Sequence, residues 1–334
     1  MQPGNGSRAT PTKVFFASDL HGSERGFRKF VAAAAFYGAD VLVYGGDLMG
    51  KGLVPIVRTG DRYTAGLRGE SRELEGREEL DGFRSDLGTA GLYSVVVDPD
   101  EYRELRDDPA ARQDVFDRLA RERVASWVAL AEERLAGTPV RCFLTGGNDD
   151  TPEVLTLLDG LDTEHVVGSE HRVVDLDAEH TMITVGYSTP TPWGTPRERS
   201  EEDIAAAIRA SADRVPDLAR CVFNLHAPPI GSPLDRCVKV EPGAGAGPDD
   251  LPRPVMRHGH PVYTTGGSRA VRDAITTYQP AVGLHGHIHE SPGRIRLGRT
   301  QCFNPGSEYA QGTLQGMIVA LRGGRVVGYQ HTVG

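Results

Sequence analysis

Short runs of aspartate, asparagine and histidine recur along this sequence, each directly after a stretch of apolar residues. The runs are Asp19-Leu20-His21, Gly46-Asp47, Gly147-Asn148, the single His226, and Gly286-His287-Ile288-His289. Together they offer three oxygen ligands and four imidazoles, which is about what two adjacent divalent cations need. Two cations roughly 3.5–4 Å apart form a clamp for in-line displacement at phosphorus. The set therefore indicates the chemistry of a metal-dependent phosphoesterase.

Taken singly, most of these residues also have ordinary structural explanations. Those explanations are a turn for Asp19 with a surface His21, a helix cap for Asp47, a Gly-Asn turn for Asn148, and a structural role for His226. The histidine run at 285–289 is the strongest local signal, because alternating histidines at a strand end can reach different ions. The functional interpretation rests on the whole set.

The apolar stretches before the motifs predict buried β-strands. Strands at 13–18 and 41–44 flank a helix predicted over 24–37 with Ser23 as its N-cap, which makes a βαβ unit with parallel strands. Further strands of this kind are predicted at 140–144, 221–225, 281–284 and 301–303. Ligands of open α/β sheets gather beyond the carboxyl ends of the strands, so this placement brings distant motifs to one rim.

Two antiparallel hairpins complete the predicted framework, one over 171–186 and one over 317–330 that turns at Gly323-Gly324. Parallel strands combined with antiparallel hairpins predict two mixed sheets packed together, with helices outside. We expect one domain over 13–334, preceded by a disordered tail at 1–12 that is rich in Gly, Pro and Ser.

Two inserted segments, at about 52–139 and 231–265, interrupt this plan. The first is predicted to contain a hairpin near 58–67 and a charged helix over 114–135. The second is rich in Pro and Gly and is predicted to be a long loop. Long loops in compact domains are usually functional or disordered, so we expect both segments to flank the site and shape access to it.

The composition narrows the classes of function. The 334 residues carry a net charge of −9, which does not suit binding to a long nucleic acid through a basic stripe. Four cysteines without a CxxC pair, at 142, 221, 237 and 302, do not predict a disulfide framework. No apolar stretch approaches the length of a membrane span, and no signal-peptide pattern is present, so the sequence predicts a cytoplasmic protein without a membrane partner.

The ordered set of motifs resembles the calcineurin-like metallophosphoesterase superfamily, whose pattern is DxH, GD, GNH[DE], H and GHxH. The resemblance runs from about Lys13 to Ser307 in the same order. The runs at 18–24, 286–291 and 304–309 are further similar to a bacterial and archaeal sub-group of predicted phosphoesterases. The resemblance implies an α/β fold, a four-layer α/β/β/α sandwich of two mixed sheets. Residues 304–307 follow another predicted strand, and we expect them to pack under the metal rim for that reason.

The resemblance also implies a role for each ligand, and a bridging hydroxide that would attack phosphorus. One divalent ion is assigned to Asp19, His21, Asp47 and His289, and the other to Asp47, Asn148, His226 and His287. A mixed nitrogen and oxygen set without cysteine favours Mn²⁺ or Fe²⁺ and admits Zn²⁺, Ni²⁺ or Mg²⁺.

One position departs from the family pattern. Asp149 stands where the third motif usually has a histidine that stabilises the transferring phosphoryl oxygens or protonates the leaving group. A carboxylate beside two dications should be ionised, so Asp149 is a poor general acid. Asp150 matches the acidic position that orients the missing histidine, and we take both aspartates as the catalytic candidates. His258, His260 or Arg269 could be the proton donor instead.

The sequence thus predicts a phosphoric ester hydrolase for a small phosphodiester, or for a phosphomonoester. The alternative is a non-catalytic metal-binding scaffold for a protein partner. Because binding-only relatives are expected to lose ligands, the complete ligand set favours the enzyme. A nuclease is the third candidate, weakened by the acidic charge.

Overall fold

Two six-stranded mixed sheets form the centre of the chain in the computed structural model, which describes residues 10–67, 69–241 and 253–334. The first sheet contains, in spatial order, β20 (Arg325–Val333), β19 (Gln315–Arg322), β1 (Thr12–Ala17), β2 (Val41–Tyr44), β7 (Arg141–Leu144) and β8 (Val166–Gly168). The second contains β17 (Gly293–Leu297), β18 (Thr300–Asn304), β16 (Val282–Leu284), β11 (Cys221–Leu225), β10 (Thr181–Val185) and β9 (Val173–Asp175).

The sheets pack face to face because successive side chains of each central strand point to opposite faces of the sheet and are apolar on both. Phe16 and Val43 point inward from the first sheet and share a buried cluster with Val222 and Phe303 of the second. Phe15, on the opposite face of β1, packs against the helices outside. Every central strand is therefore buried on both faces, which explains why the strands preceding the motifs are continuous apolar runs.

Helices cover both outer faces. The helices are α1 (Glu24–Tyr37), α2 (Gly76–Thr89), α3 (Pro99–Asp107), α4 (Pro109–Leu135), α5 (Pro152–Leu155), α6 (Glu201–Ala212) and α7 (Arg269–Tyr278). Helices α1 and α4 cover the first sheet, where Phe27 stacks on Trp127 with ring centroids 4.2 Å apart. Ile208 of α6 and Ile275 of α7 cover the second. The layers run α/β/β/α, as the sequence predicts.

The first inserted segment forms a small sheet with its own core. Its strands are β3 (Gly52–Thr59), β4 (Arg62–Leu67), β5 (Glu70–Glu75) and β6 (Leu92–Val97), in the order β5-β4-β3-β6. Ile56, Leu74 and Phe83 belong to its buried cluster. The sequence predicts the β3–β4 hairpin and most of α4. It does not predict β5, which is exposed at five of its six residues, or α2, whose few apolar residues at 80, 83 and 87 stand among charged residues.

The second inserted segment is not one continuous loop. It contains four strands of two or three residues, which are β12 (Arg236–Val238), β13 (Met256–Arg257), β14 (His260–Pro261) and β15 (Tyr263–Thr265). The prediction of a long loop is therefore wrong for these residues, whose exposed strands leave no apolar alternation in the sequence. The Gly- and Pro-rich run at 243–248, and most of the predicted tail, lie outside the described residues.

Two smaller predictions can also be compared with the structure. All four cysteines are free thiols, and three of them are buried, at 142, 221 and 302. No helix in the described part of the chain has both the length and the apolar character needed to cross a bilayer.

Candidate metal centre

The loops that carry the predicted ligands begin where central strands end. They follow β1, β2 and β7 in the first sheet and β11 and β16 in the second, and these neighbouring strands are parallel. Hydrogen bonds join the loops, because Asp19 N–H donates to Gly46 O (2.9 Å) and His21 N–H donates to Asp47 O (3.0 Å). His226 Nδ1 lies 2.9 Å from Gly45 O, which links the two sheets. The five motifs therefore meet on one rim.

Glycines allow the loops to approach each other closely. A Cβ atom on Gly147 would lie 2.1 Å from Asp47 Oδ1, and one on Gly286 would lie 2.3 Å from Asp19 Oδ2. Real Cβ atoms do not approach other atoms so closely, so any larger residue at these positions would push a predicted ligand out of place. The glycines in these two motifs are required by packing around the carboxylates.

Four of the predicted ligands have a left-handed backbone, with φ of 59° at Asp19, 42° at His21, 59° at Asp47 and 68° at His287. Residues other than glycine rarely adopt this conformation, which is disfavoured by roughly 1–2 kcal/mol per residue. Strain of this kind concentrates at functional sites, where the surrounding structure holds it in place.

Short distances join the side chains of the predicted ligands. His21 Nε2 lies 3.0 Å from His289 Nε2, and His226 Nε2 lies 3.0 Å from Asn148 Oδ1. Asp47 Oδ2 lies between these pairs, 3.6 Å from His21 Nε2 and 3.4 Å from His226 Nε2. These two pairs form the two halves of the cluster, and the Asp47 carboxylate lies close to both.

Asp19 and His287 complete the group. Asp19 Oδ1 lies 3.6 Å from His289 Nε2 and 3.9 Å from His226 Nε2, so this carboxylate reaches histidines of both predicted ligand sets. The family pattern, by contrast, implies that Asp19 shares an ion with His289 and not with His226. The His287 backbone N–H donates to both Asp19 oxygens, at 3.0 and 3.1 Å, and the His287 ring lies 5.4 Å from that of His226.

The cluster fits a divalent metal ion. Its carboxylates, Asp19 and Asp47, are buried at 1% and 2% exposure, and among the described residues neither forms an ion pair with a lysine or an arginine. His21 Nδ1 is buried with no hydrogen-bond partner in the same part of the chain, and two imidazole nitrogens face each other at 3.0 Å. Groups of carboxylate oxygens and imidazole nitrogens lie within 4.8 Å of one another. Such a set of buried donors could hold a cation that would satisfy them all.

The charges in the cluster are strongly coupled. Burial alone would raise the pKa of Asp19, but the hydrogen bond from His289 and the charge of His226 lower it to about 2. Burial would likewise lower the pKa of His226, but Asp47 and Asp19 raise it to about 9. His287 behaves differently, because burial and the charge of His226 lower its pKa to about 4. The metal-free cluster therefore holds a proton on His226.

Asp149 lies at the mouth of the cluster. Its backbone N–H donates to Asp47 Oδ1 (3.0 Å), and its Oδ2 lies 3.6 Å from His21 Nδ1. The same oxygen forms an ion pair with Lys51 Nζ. The Lys51 side chain is 42% exposed, whereas that of Asp149 is 14% exposed. In the sequence Lys51 is notable only as one of four lysines, so its place at the site emerges from the fold.

Asp150 has a different role from its neighbour. It is fully buried, and its oxygens accept hydrogen bonds from the backbone N–H groups of Leu48 (3.1 Å), Met49 (2.8 Å) and Gly147 (2.7 Å). Burial and the charge of Asp47 raise its pKa to about 6, against the effect of these amides. Asp150 therefore ties the loop after β2 to the loop after β7 and holds the ligands of these two loops in position.

Several residues that the sequence did not single out hold the loops from behind. Tyr44 Oη accepts from Leu20 N–H (3.0 Å) and donates to Asp47 O (2.9 Å). Arg197 donates to Gly147 O at 2.8 Å, and a buried ion pair with a glutamate holds it. Neither has a sequence signal, because a tyrosine in an apolar run and an arginine in a polar loop are both commonplace.

The run at 304–307 packs behind the rim, as its position after a predicted strand indicates. Ser307 Oγ donates to Asp19 O (2.6 Å), and Asn304 Nδ2 donates to Ile288 O (2.9 Å). The ring of Tyr309 lies 4.7 Å from that of His21. This segment therefore supports two of the ligand loops.

The alternative proton donors do not join the cluster. His258 and His260 belong to an exposed hairpin, and no side-chain hydrogen bond or ion pair joins them to the ligands in the described part of the chain. Arg269 is exposed at the first residue of α7, where its backbone N–H donates to Glu201 (2.8 Å).

Solved structures share this fold over nearly their whole length. One aligns with a TM-score of 0.57 at 15% identity and covers 97% of this chain and 98% of its own. TT1561 of Thermus thermophilus aligns with a TM-score of 0.51 at 14% identity and covers 97% of this chain and 99% of its own. The order of layers is also the one that the motif resemblance implies. The chain has the calcineurin-like metallophosphoesterase fold.

For the metallophosphoesterase fold, similarity at this level of identity establishes architecture alone. A dimetal phosphatase from Danio rerio also aligns over 96% of this chain and 98% of its own, but its TM-score of 0.42 and identity of 10% are too low to support an inference. No protein-family model matches the sequence, and no curated protein matches it. The function must therefore be argued from the site.

Proposed function

We propose that this chain is a metal-dependent phosphoesterase that hydrolyses a small phosphodiester with two divalent ions. The observation that carries the proposal is the meeting of two carboxylates, one amide and four imidazoles on a single rim. Bound divalent ions supply Lewis-acid polarisation of a phosphoryl oxygen and lower the pKa of a water molecule. The protein contributes fixed ligands, positioned by strained loops and by hydrogen bonds from behind.

Two ions fit the cluster better than one. Asp47 Oδ2 lies within 3.6 Å of histidine nitrogens from both halves, His21 and His226, which is the position of a shared ligand. One half adds His289 and the other adds Asn148, so each ion would have at least two ligands besides Asp47. Imidazole and carboxylate together favour Mn²⁺ or Fe²⁺, with Zn²⁺, Ni²⁺ and Mg²⁺ as further candidates.

The charge at the mouth favours a diester over a monoester. The usual third-motif histidine can carry a positive charge, whereas Asp149 with Lys51 forms a neutral pair. A phosphomonoester approaches as a dianion and a phosphodiester as a monoanion, and a lysine whose charge Asp149 offsets attracts the dianion less strongly than an unpaired cation would. The net charge of −9 adds to this preference and disfavours a long nucleic acid.

The decisive experiment combines metal analysis with a panel of phosphoesters. The protein is stripped with a chelator, reloaded separately with each candidate ion, and assayed on aryl and alkyl diesters and monoesters. We expect about two ions per chain and highest activity on a diester. Background metal content after reloading would refute the metal centre, whereas bound metal without hydrolysis of any substrate would indicate the scaffold alternative.

Substitution of single ligands tests the arrangement. Asp47→Ala should lower the occupancy of both sites, because Asp47 is shared, whereas His289→Ala should chiefly affect one site. His331→Ala is the control, since this exposed histidine lies on an edge strand with Nε2 2.8 Å from Pro305 O, and it should keep the wild-type metal content. Equal losses in the Asp47→Ala and His289→Ala variants would contradict a shared ligand.

A further inference from the structure

The third motif lacks its histidine, but the cationic side chain of Lys51 lies at the mouth of the cluster. We propose that Lys51, held in place by Asp149, binds the phosphoryl oxygens of the substrate. In this role Lys51 would provide hydrogen-bond donors in place of the missing histidine, while Asp149 offsets its charge. The inference rests on the proposed function, because it concerns how the same site binds its substrate.

The position of the ammonium group is the first argument. Lys51 Nζ pairs with Asp149, whose Oδ2 lies 3.6 Å from His21 Nδ1 and whose backbone N–H donates to Asp47. The cation is therefore one side chain away from two predicted ligands. His21 is fully buried, while the Lys51 side chain is 42% exposed, so Lys51 lies on the solvent side of the cluster.

The number of donors is the second argument. An ammonium group has three N–H donors, and Asp149 accepts from one of them, which leaves two for the oxygens of a bound phosphoryl group. Ion pairs of this kind between a charged donor and a phosphate oxygen are among the stronger hydrogen bonds in proteins. Asp149 is then a positioning residue, which limits the rotamers of a long side chain.

The backbone beneath Lys51 is the third argument, because it fixes where the side chain starts. Lys51 N–H donates to Gly91 O (3.2 Å), and the preceding Gly50 N–H donates to Tyr93 Oη (2.8 Å). A Cβ atom on Gly50 would lie 2.3 Å from Gly91 O, so the two chain segments touch here. The first inserted segment thereby holds Lys51 at the mouth, which gives this segment a direct part in forming the site.

Two other cations near the ligand loops are already committed. Arg197 is 5% exposed, donates to Gly147 O and pairs with Glu170. Arg123 donates to Gly22 O and pairs with Glu24 at 3.2 Å. Both support loops from behind, so Lys51 is the cation that remains available to a substrate in the described part of this rim.

The test measures phosphate binding as well as hydrolysis. Lys51→Met and Lys51→Arg are compared with Lys13→Met. Lys13 is a control because it lies at the start of β1, away from the ligand loops, and its Nζ donates to Tyr37 O. Metal content is measured by elemental analysis and folding by urea unfolding. The affinity of the Mn²⁺-loaded proteins for inorganic phosphate is measured by calorimetry. Hydrolysis is followed with bis(para-nitrophenyl) phosphate, whose leaving group needs no proton and so reports the charge alone.

We expect Lys51→Met to keep wild-type metal content, to bind phosphate about tenfold more weakly, and to lose roughly 10²-fold in kcat/KM, the usual effect of removing one donor to a developing anion. Lys51→Arg should recover part of both losses because it keeps the charge. Lys13→Met should behave as the wild type. Adding Asp149→Asn to Lys51→Met should cause little further loss, because the aspartate acts through the lysine.

The outcomes separate this inference from the proposed function. If the wild type binds two metals and hydrolyses diesters while Lys51→Met matches it in phosphate affinity and rate, the role of Lys51 is refuted and the phosphoesterase stands. If Lys51→Met loses metal or fails to unfold cooperatively, the Lys51→Arg variant becomes the test. A folded, metal-replete Lys51→Arg protein whose phosphate affinity and rate are as low as those of Lys51→Met would also refute the inference, because it keeps the positive charge. A wild type without metal or hydrolysis would overturn both proposals.

Discussion

The hydroxyl of Tyr44 offers a sharp test of how the ligand loops are held. It is fully buried, accepts a hydrogen bond from Leu20 N–H at 3.0 Å and donates one to Asp47 O at 2.9 Å. It therefore links the loop of Asp19 and His21 to the loop of Asp47. Burial raises the pKa of the phenol well above its usual value, so the group stays a neutral donor throughout the working range of pH.

Tyr44→Phe removes the oxygen and leaves the ring. The substitution leaves the buried Leu20 N–H group without an acceptor, and a buried N–H group without a partner destabilises a protein by roughly 1–3 kcal/mol. Asp47 O still accepts from His21 N–H at 3.0 Å, so its loss is only about 0.5–1 kcal/mol. The sum is a destabilisation of about 1.5–4 kcal/mol, with about 10–100-fold weaker metal binding because one of the links between the two loops is lost.

Urea unfolding of the chelator-treated protein measures the first effect, and titration with Mn²⁺ against a competing chelator measures the second. Tyr329→Phe is the matched control, because this tyrosine is 42% exposed on an edge strand and should change the free energy of unfolding by no more than about 0.5 kcal/mol. If Tyr44→Phe were as stable as this control and bound metal equally well, the hydroxyl would not join the loops.

Two further predictions concern protons. His226 has a pKa of about 9 without metal and is therefore protonated at pH 7.5, so metal uptake at that pH should release about one proton that His226→Gln does not release. Calorimetry in buffers of different ionisation enthalpy measures the number of protons released. Equal release by both proteins would contradict the assignment. Because Asp149 is a poor acid, diesters with aryl leaving groups should react much faster than alkyl diesters, and Asp149→His should help the alkyl diesters most, by up to about 10²-fold. A series of graded leaving groups would show this dependence, and a flat profile with chemistry rate-limiting would refute it.

The central sheets and the ligand loops could be predicted because their signals are local. A strand such as Val41–Tyr44 is buried at every position, so its apolar run is unmistakable, and the motif that follows needs only its own residue types. Strand Glu70–Glu75 is exposed at five of six positions, and its sequence is that of any polar segment. What the sequence reveals about an element depends on how much of it the fold buries.

The contacts that complete the site could not be predicted, because they join distant residues. Lys51 and Asp149 are 98 positions apart, and their pairing depends on the first inserted segment and on the loop after β7. The hydrogen bonds of the Tyr44 hydroxyl could not be predicted either, because an apolar run predicts that the ring is buried but not which backbone atoms the oxygen contacts. Only the strand-end motifs had a pattern strong enough to outweigh their ordinary explanations.

The left-handed backbone at Asp19, His21, Asp47 and His287 has a consequence for sequence drift. Glycine at any of these positions would relieve roughly 1 kcal/mol of backbone strain while abolishing one ligand. A lineage released from metal binding would therefore gain stability by the same substitutions that erase its centre, and the loss would be fast and directional. If these four residues hold the proposed ions, metal binding is what offsets the backbone cost of keeping residues other than glycine there.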